Sequence, residues 1–160
     1  MNREEFTSII RKEQAGLRRF LLILCCGNAQ ETDDLAQETL LKAYEASTRY
    51  IGSDGHSTWL RRIALRCYLN SRRGLKAESE LELERARHIE SGIRTDASFE
   101  YEELYSAIST LSYSERTALL LHYMEDRPIQ EIAMIMNVAE GTVKSSLSRG
   151  REHLRLKLKR

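Results

Sequence analysis

Residues 128–151 read PIQEIAMIMNVAEGTVKSSLSRGR, and this stretch decides the fold of the C-terminal part. Pro128 suits the first turn of a helix, where its missing N–H and fixed φ cost nothing. Ile129, Ile132, Ala133 and Met136 follow at helical spacing. Asn137 tolerates the left-handed conformation that ends helices. A second helix is expected over about residues 140–158, with Val143, Leu147 and Leu154 inward. Ala133 is small where two helices must approach, and Ile132, Val138 and Val143 are placed to pin them together. This is the layout of a helix-turn-helix, whose second helix enters a DNA major groove. Lys144, Ser145, Ser148, Arg149 and Arg151 lie on its exposed face. Arginine reads guanine edges, while lysine and serine hold phosphates. The alternative is an ordinary helical hairpin with a solvated basic face.

Working back, Ser112-Tyr113-Ser114-Glu115 is a capping box that opens a helix carrying Leu119, Leu120 and Tyr123. Leu104, Ile108 and Leu111 suggest a helix before it, so this lobe begins near Phe99. Residues 76–98 read as a flexible acidic linker, with Glu78, Glu80, Glu82 and Glu84 on alternate positions. Before the linker, Phe6, Ile9, Ile10, Leu17, Phe20, Leu21 and Leu24 mark a first helix over about residues 4–26, stopped by Gly27-Asn28. Asn28 caps the next helix, with Glu31 completing a capping box. That helix turns Leu35, Thr39, Leu40, Ala43 and Tyr44 one way, and Asp33, Asp34, Gln37, Glu38 and Lys42 the other. Residues 51–55, IGSDG, form a loop. A third helix over about residues 57–73 has Trp59, Leu60, Ile63, Ala64 and Cys67 as its stripe.

The single proline and the near absence of β-branched runs make helix the default. The expected fold is therefore all-α: two small helical domains, residues 1–75 and 99–160, joined by the linker. The net charge of +1 conceals a pattern. Residues 1–75 hold 12 basic and 9 acidic side chains, residues 76–103 hold 4 and 9, and residues 104–160 hold 9 and 6. Two mildly basic lobes thus flank an acidic connector, a balance that suits polyanions.

The longest apolar stretch, residues 20–26, is far short of the roughly 20 needed to span a membrane. The N-terminus lacks the apolar core of a signal peptide. The expectation is a cytoplasmic protein without membrane insertion. Cys25, Cys26 and Cys67 are too few and badly spaced for a disulfide framework or metal site, and the four histidines are scattered. No metal or cofactor is expected.

Asp34, Gln37 and Glu38 share one helical turn. A solvated acidic face is the ordinary reading, and protein docking the sharper one. General acid–base catalysis lacks a nearby histidine or nucleophile, so no enzyme is expected. Arg61, Arg62, Arg66 and Arg73 stand near Tyr50, His56 and Trp59, a mixture that suits unpaired bases, which stack on aromatics. For Trp59, core packing is the competing reading.

These residues resemble a known family. DDLAQETLLKAY at 33–44 resembles region 2.2 of bacterial sigma factors of the extracytoplasmic-function (ECF) group of the sigma-70 family. TWLRRIA at 58–64 is similar to the region that follows. Residues 111–156 resemble region 4, above all GTVKS at 141–145 and SRGR at 148–151. The family often has Ser at Ala139, Arg at Ser146 and Ala at Gly150.

The resemblance implies that Asp34, Gln37 and Glu38 dock on the β′ clamp helices of RNA polymerase core. It implies that Tyr50, His56, Trp59, Arg61, Arg62, Arg66 and Arg73 engage the −10 element. It implies that Thr142, Lys144, Ser145, Ser148, Arg149 and Arg151 bind the −35 element of promoter DNA while that lobe leans on the β flap. An anti-sigma partner is implied as well. A stand-alone helix-turn-helix transcriptional regulator remains the alternative function.

Overall fold

The computed structural model describes residues 1–50, 52, 54–77 and 101–158; most of the 76–98 linker expectation lies outside them. Among the described residues the chain is all-α, with no strand. It divides into two compact units, Met1–Arg94 and Thr95–Arg160.

The first unit packs three helices against one another: α1 (Arg3–Leu24), α2 (Ala29–Ala46) and α3 (His56–Ala77). A short 3-10 turn, Ser47–Arg49, leaves α2. Asn2 and Glu5 form a capping box that starts α1. Apolar residues one turn apart create its stripe, and Leu17, Phe20, Leu21 and Leu24 are fully buried. Opposite them lie Leu35 and Ala43 of α2 and Leu60, Ala64 and Cys67 of α3.

α1 ends two residues earlier than periodicity suggests. Cys26 (φ 55°) and Gly27 (φ 87°) both turn left-handed, and Gly27 N–H reaches back to the Leu22 carbonyl at 2.8 Å. Those bonds close a Schellman motif. Cys25 and Cys67 are buried and free. Burial first, then the Glu31 charge, pushes the Cys25 thiol upward, so it packs as a small apolar residue.

The Asn28 side chain accepts from Glu31 N–H at 3.0 Å, as expected. The Glu31 carboxylate turns to Arg72 of α3, 2.9 Å away, and the Arg72 guanidinium lies 4.9 Å over the Tyr68 ring. The reciprocal half of the expected capping box does not form: Asn28 N–H bonds the Cys25 carbonyl at 3.2 Å, and Glu31 instead ties α2 to the end of α3. Asn28→Ala should cost about 1 kcal/mol, measured as a lowered midpoint in a urea melt.

The second unit contains α4 (Glu102–Ser109), α5 (Tyr113–Leu119), α6 (Ile129–Met136) and α7 (Glu140–Leu158). The Ser112–Glu115 capping box forms as read. Arg116 donates to the Ser109 and Leu111 carbonyls, both at 3.3 Å, closing the end of α4. A wider π-helical turn, Leu120–Met124, continues α5. It rotates the apolar stripe, so Leu121 is fully buried and Tyr123, expected inward, is 57% exposed.

Asn137 adopts the left-handed conformation (φ 56°, ψ 50°). Val138 N–H bonds the Ala133 carbonyl at 3.1 Å, a second Schellman stop. α7 then packs on α4, α5 and α6 through Val143, Ser146, Leu147 and Gly150, all buried at i, i+3, i+4 and i+7. Leu104 and Tyr44, both read as inward, are exposed. Tyr44 meets the Phe6 ring edge-on at 5.4 Å, near the N-terminal end of α1, where Phe6 itself is only half-buried.

No helix is long and apolar enough to cross a membrane, among the described residues. Nor, among those residues, do His, Cys, Asp and Glu gather into a group that could hold a metal ion.

Candidate polymerase and nucleic-acid interfaces

The acidic face of α2 follows from spacing alone. Residues 34, 37, 38 and 41 recur at helical intervals, opposite the buried Thr32, Leu35, Ala36, Thr39 and Ala43. Asp34 and Gln37 are exposed and Glu38 is half-buried. Asp33 is paired with Arg18 of α1. Among the described residues, Asp34 and Glu38 have no ion pair within the chain. Leu41, 59% exposed, completes the face, and sequence reading passed over it as one more apolar position.

The aromatic–basic surface lies where α3 begins. Gly52 (φ 81°) and Gly55 (φ 84°) take backbone conformations that side chains resist. Tyr50 stacks on Trp59, with ring centres 4.4 Å apart, and meets His56 at 5.4 Å. Trp59 is half-buried, so packing and an accessible edge coexist. An open cleft beside the cluster is lined by Glu4, Glu5, Ile9, Tyr50, Gly52 and His56. Burial, then the Asp54 charge, raises the Tyr50 hydroxyl pKa.

The arginines of α3 divide into two kinds. Arg66 and Arg73 are exposed. Arg62 is half-buried and pairs with Asp54 of the loop at 3.3 Å. Arg61 departs from the sequence expectation. It is 3% exposed, its guanidinium lies 5.5 Å over the Phe20 ring, and a Cβ on Gly16 would come within 3.2 Å of it. As folded, Arg61 presents no surface to DNA; its position on α3 faces α1.

On α7, Thr142, Lys144, Ser148, Arg149 and Arg151 are exposed and Ser145 is half-buried. The Ser145 hydroxyl donates to the Thr142 carbonyl at 3.1 Å. Arg151 donates to the Tyr123 hydroxyl at 3.1 Å, which anchors it across to the π-helical turn. The buried stripe behind these residues sets the rotation of α7 and turns the polar row outward.

The sigma-70 region 2 model matches residues 9–78 and the sigma-70 region 4 model matches residues 101–154. The ECF RNA polymerase sigma factor SigW of Bacillus subtilis is 31% identical over 146 residues, covering 83% of this chain and 78% of the relative. The chain belongs to the ECF group of the sigma-70 family.

A second relative of this ECF chain, the RNA polymerase sigma-H factor of Pseudomonas aeruginosa, is 33% identical over 145 residues, with 82% of this chain and 75% of the relative covered. The fold is shared with a solved sigma factor, RpoE of Bartonella quintana, in complex with the anti-sigma factor NepR. The TM-score there is 0.75 at 23% identity, covering 98% of this chain and 99% of the other. The region 2 match begins within α1 and takes in α2 and α3, with the acidic and aromatic–basic surfaces. The region 4 match contains the helix-turn-helix. As an ECF family member, the chain serves promoter-specific transcription initiation.

Sequence reading missed Asp54 and Glu115 as partners of arginines in this ECF chain. Glu115 was legible as a cap, but its contacts on α7 are 34 and 38 residues away and follow no local spacing.

Proposed function

We propose that the chain docks on the β′ clamp helices of core RNA polymerase through Asp34, Gln37 and Glu38. Tyr50, His56, Trp59, Arg62, Arg66 and Arg73 then engage the −10 element. Thr142, Lys144, Ser145, Ser148, Arg149 and Arg151 read the −35 element, with the second unit resting on the β flap. The chain is not an enzyme; it works in the cytoplasm, where polymerase and DNA are. The observation that carries this reading is the exposed α2 face, where Asp34 and Glu38 are charged and have no ion pair inside the chain, among the described residues. A docking partner supplies the missing cations.

An anti-sigma factor that sequesters the chain belongs to the same proposal. Two solved structures of similar fold support it: RpoE with NepR, and CnrH with the cytosolic domain of CnrY.

Each unit alone has a small net charge and few base contacts, so each grips DNA weakly. Polymerase holds both grips together and raises their effective concentration. Run-off transcription with core polymerase on a genomic promoter library tests the proposal, and promoter-specific transcripts are expected. Tight, specific gel shifts of the promoter by the chain alone would instead identify a stand-alone regulator. Arg149→Ala should remove about 1–3 kcal/mol of discrimination at one −35 base pair, read as roughly five- to 140-fold less preference for the best promoter over its single-base variants.

A further inference from the structure

We infer that Glu115, at the start of α5, is a positioning residue that aims Arg149 of α7 at one base edge and restrains it from the phosphates. This rests on the reading of α7 as the −35 helix.

The Glu115 side chain is 7% exposed, and a buried carboxylate must be satisfied. Its two oxygens divide the work. Oε1 accepts from Ser112 N–H at 3.2 Å and lies 3.0 Å from His153 Nδ1. Oε2 lies 3.8 Å from Arg149 Nε. Burial alone would raise the Glu115 carboxyl. The bonds from His153 and Ser112, and the charges of His153 and Arg149, bring it below its ordinary value.

Arg149 and His153 stand four residues apart, on one side of α7. The carboxylate sits against both because α5 and α7 touch at Gly150. A Cβ there would come within 2.7 Å of Leu119 Cδ1 and 3.3 Å of Glu115 Cβ. The glycine brings a carboxylate of the supporting helix up to the reading face.

The consequence is specific to guanidinium chemistry. A carboxylate facing Nε at 3.8 Å, beyond hydrogen-bond distance, attracts the side edge of the planar fork by charge and leaves the terminal amino pair for a bidentate contact with guanine. A free arginine on a helix surface samples many rotamers and takes whichever phosphate is nearest. A restrained one has less freedom to lose when it reads a base. The Glu115 charge also weakens non-specific attraction to the duplex. Glu115 therefore trades general affinity for discrimination.

That trade separates aiming from simple structural support. E115Q keeps an acceptor for Ser112 N–H, since glutamine also closes capping boxes. In holoenzyme assembled with core polymerase, E115Q should lower discrimination between the preferred −35 element and its single-base variants by about five- to tenfold. Binding to unrelated duplex DNA should rise about twofold. With Arg149→Ala already present, E115Q should change discrimination no further. His153→Gln, which leaves Oε2 facing Arg149 and the Ser112 cap untouched, should keep discrimination within about twofold of the parent. The charged form of Glu115 stabilises the fold above the ordinary value of 4.5, and that contribution is lost as pH falls through the lower folded-state value. The acid limb of a thermal melt should therefore flatten in E115Q.

The proposal is overturned if E115Q leaves discrimination unchanged, if specific and non-specific binding fall together, or if His153→Gln reproduces the E115Q loss. An Arg149→Ala holoenzyme with intact −35 preference overturns the reading of α7 itself, and this proposal with it. A loss in Arg149→Ala beside an unchanged E115Q overturns the positioning role alone.

Discussion

Reversing both charges of the α2 face, Asp34→Arg with Glu38→Arg, should weaken binding to core polymerase by at least about 30-fold and leave the first unit folded. Truncating one partner of a buried, hydrogen-bonded charge pair at an interface costs roughly 2–5 kcal/mol, and each 1.4 kcal/mol is about tenfold. Reversal adds repulsion, so the lower end of that range is a floor. Stability should hardly move. Asp34 is exposed and Glu38 half-buried, and surface substitutions usually stay within about 0.5 kcal/mol. Equilibrium titration of labelled chain with core polymerase, beside a far-ultraviolet circular dichroism melt, measures both quantities. Affinity within threefold of the parent would place the docking surface elsewhere. A single reversal at Asp33 is the matched control, because its carboxylate is already engaged with Arg18 of α1.

Phe20→Ala should destabilise the first unit by about 3–5 kcal/mol, lowering its melting midpoint by at least about 12 °C. Phe20 has no exposed surface. It sits in the α1 stripe with Leu17, Leu21 and Leu24, so its removal opens a cavity that three helices must close. Two effects add. The first is lost apolar burial. The second is specific to this chain: the Arg61 guanidinium lies over the Phe20 ring and is itself buried. Without the ring, that buried cation loses its aromatic face. Native domains hold about 5–15 kcal/mol in total, so the first unit would be close to unfolding at growth temperature. Phe20→Leu, which keeps much of the volume, should cost about 1 kcal/mol. A midpoint shift under about 4 °C for Phe20→Ala would mean that the α1 stripe does not hold the bundle together.

Much of this molecule is legible in one dimension. The Asn28 cap, the Ser112–Glu115 box and the Asn137 stop act within four residues, so their chemistry is written where it operates. The stripe Val143, Leu147 turns one way and Lys144, Ser148, Arg149 the other because a helix repeats every 3.6 residues. The acidic row of α2 is legible for the same reason. Periodicity failed at Tyr123, where a π-helical turn inserted an extra residue and rotated the face. It failed again at Arg61, whose charge suggested solvent or DNA. Arg61 is buried because Gly16 leaves room for it and Phe20 offers a ring beneath it, and neither partner lies on its own helix.

By itself, then, the amino-acid order determined which segments are helical, which residues cap them, and which face of α2 and α7 carries charge, since each depends on neighbours within a turn or two. The tertiary structure alone decided which arginines of α3 remain at the surface, that Glu31 joins α2 to α3 through Arg72, and that the Glu115 carboxylate lies beside Arg149. Those outcomes depend on which helices touch and how closely. Helix contact is set by side-chain volume summed across three or four elements, glycines at 16 and 150 included, and no local spacing encodes that sum.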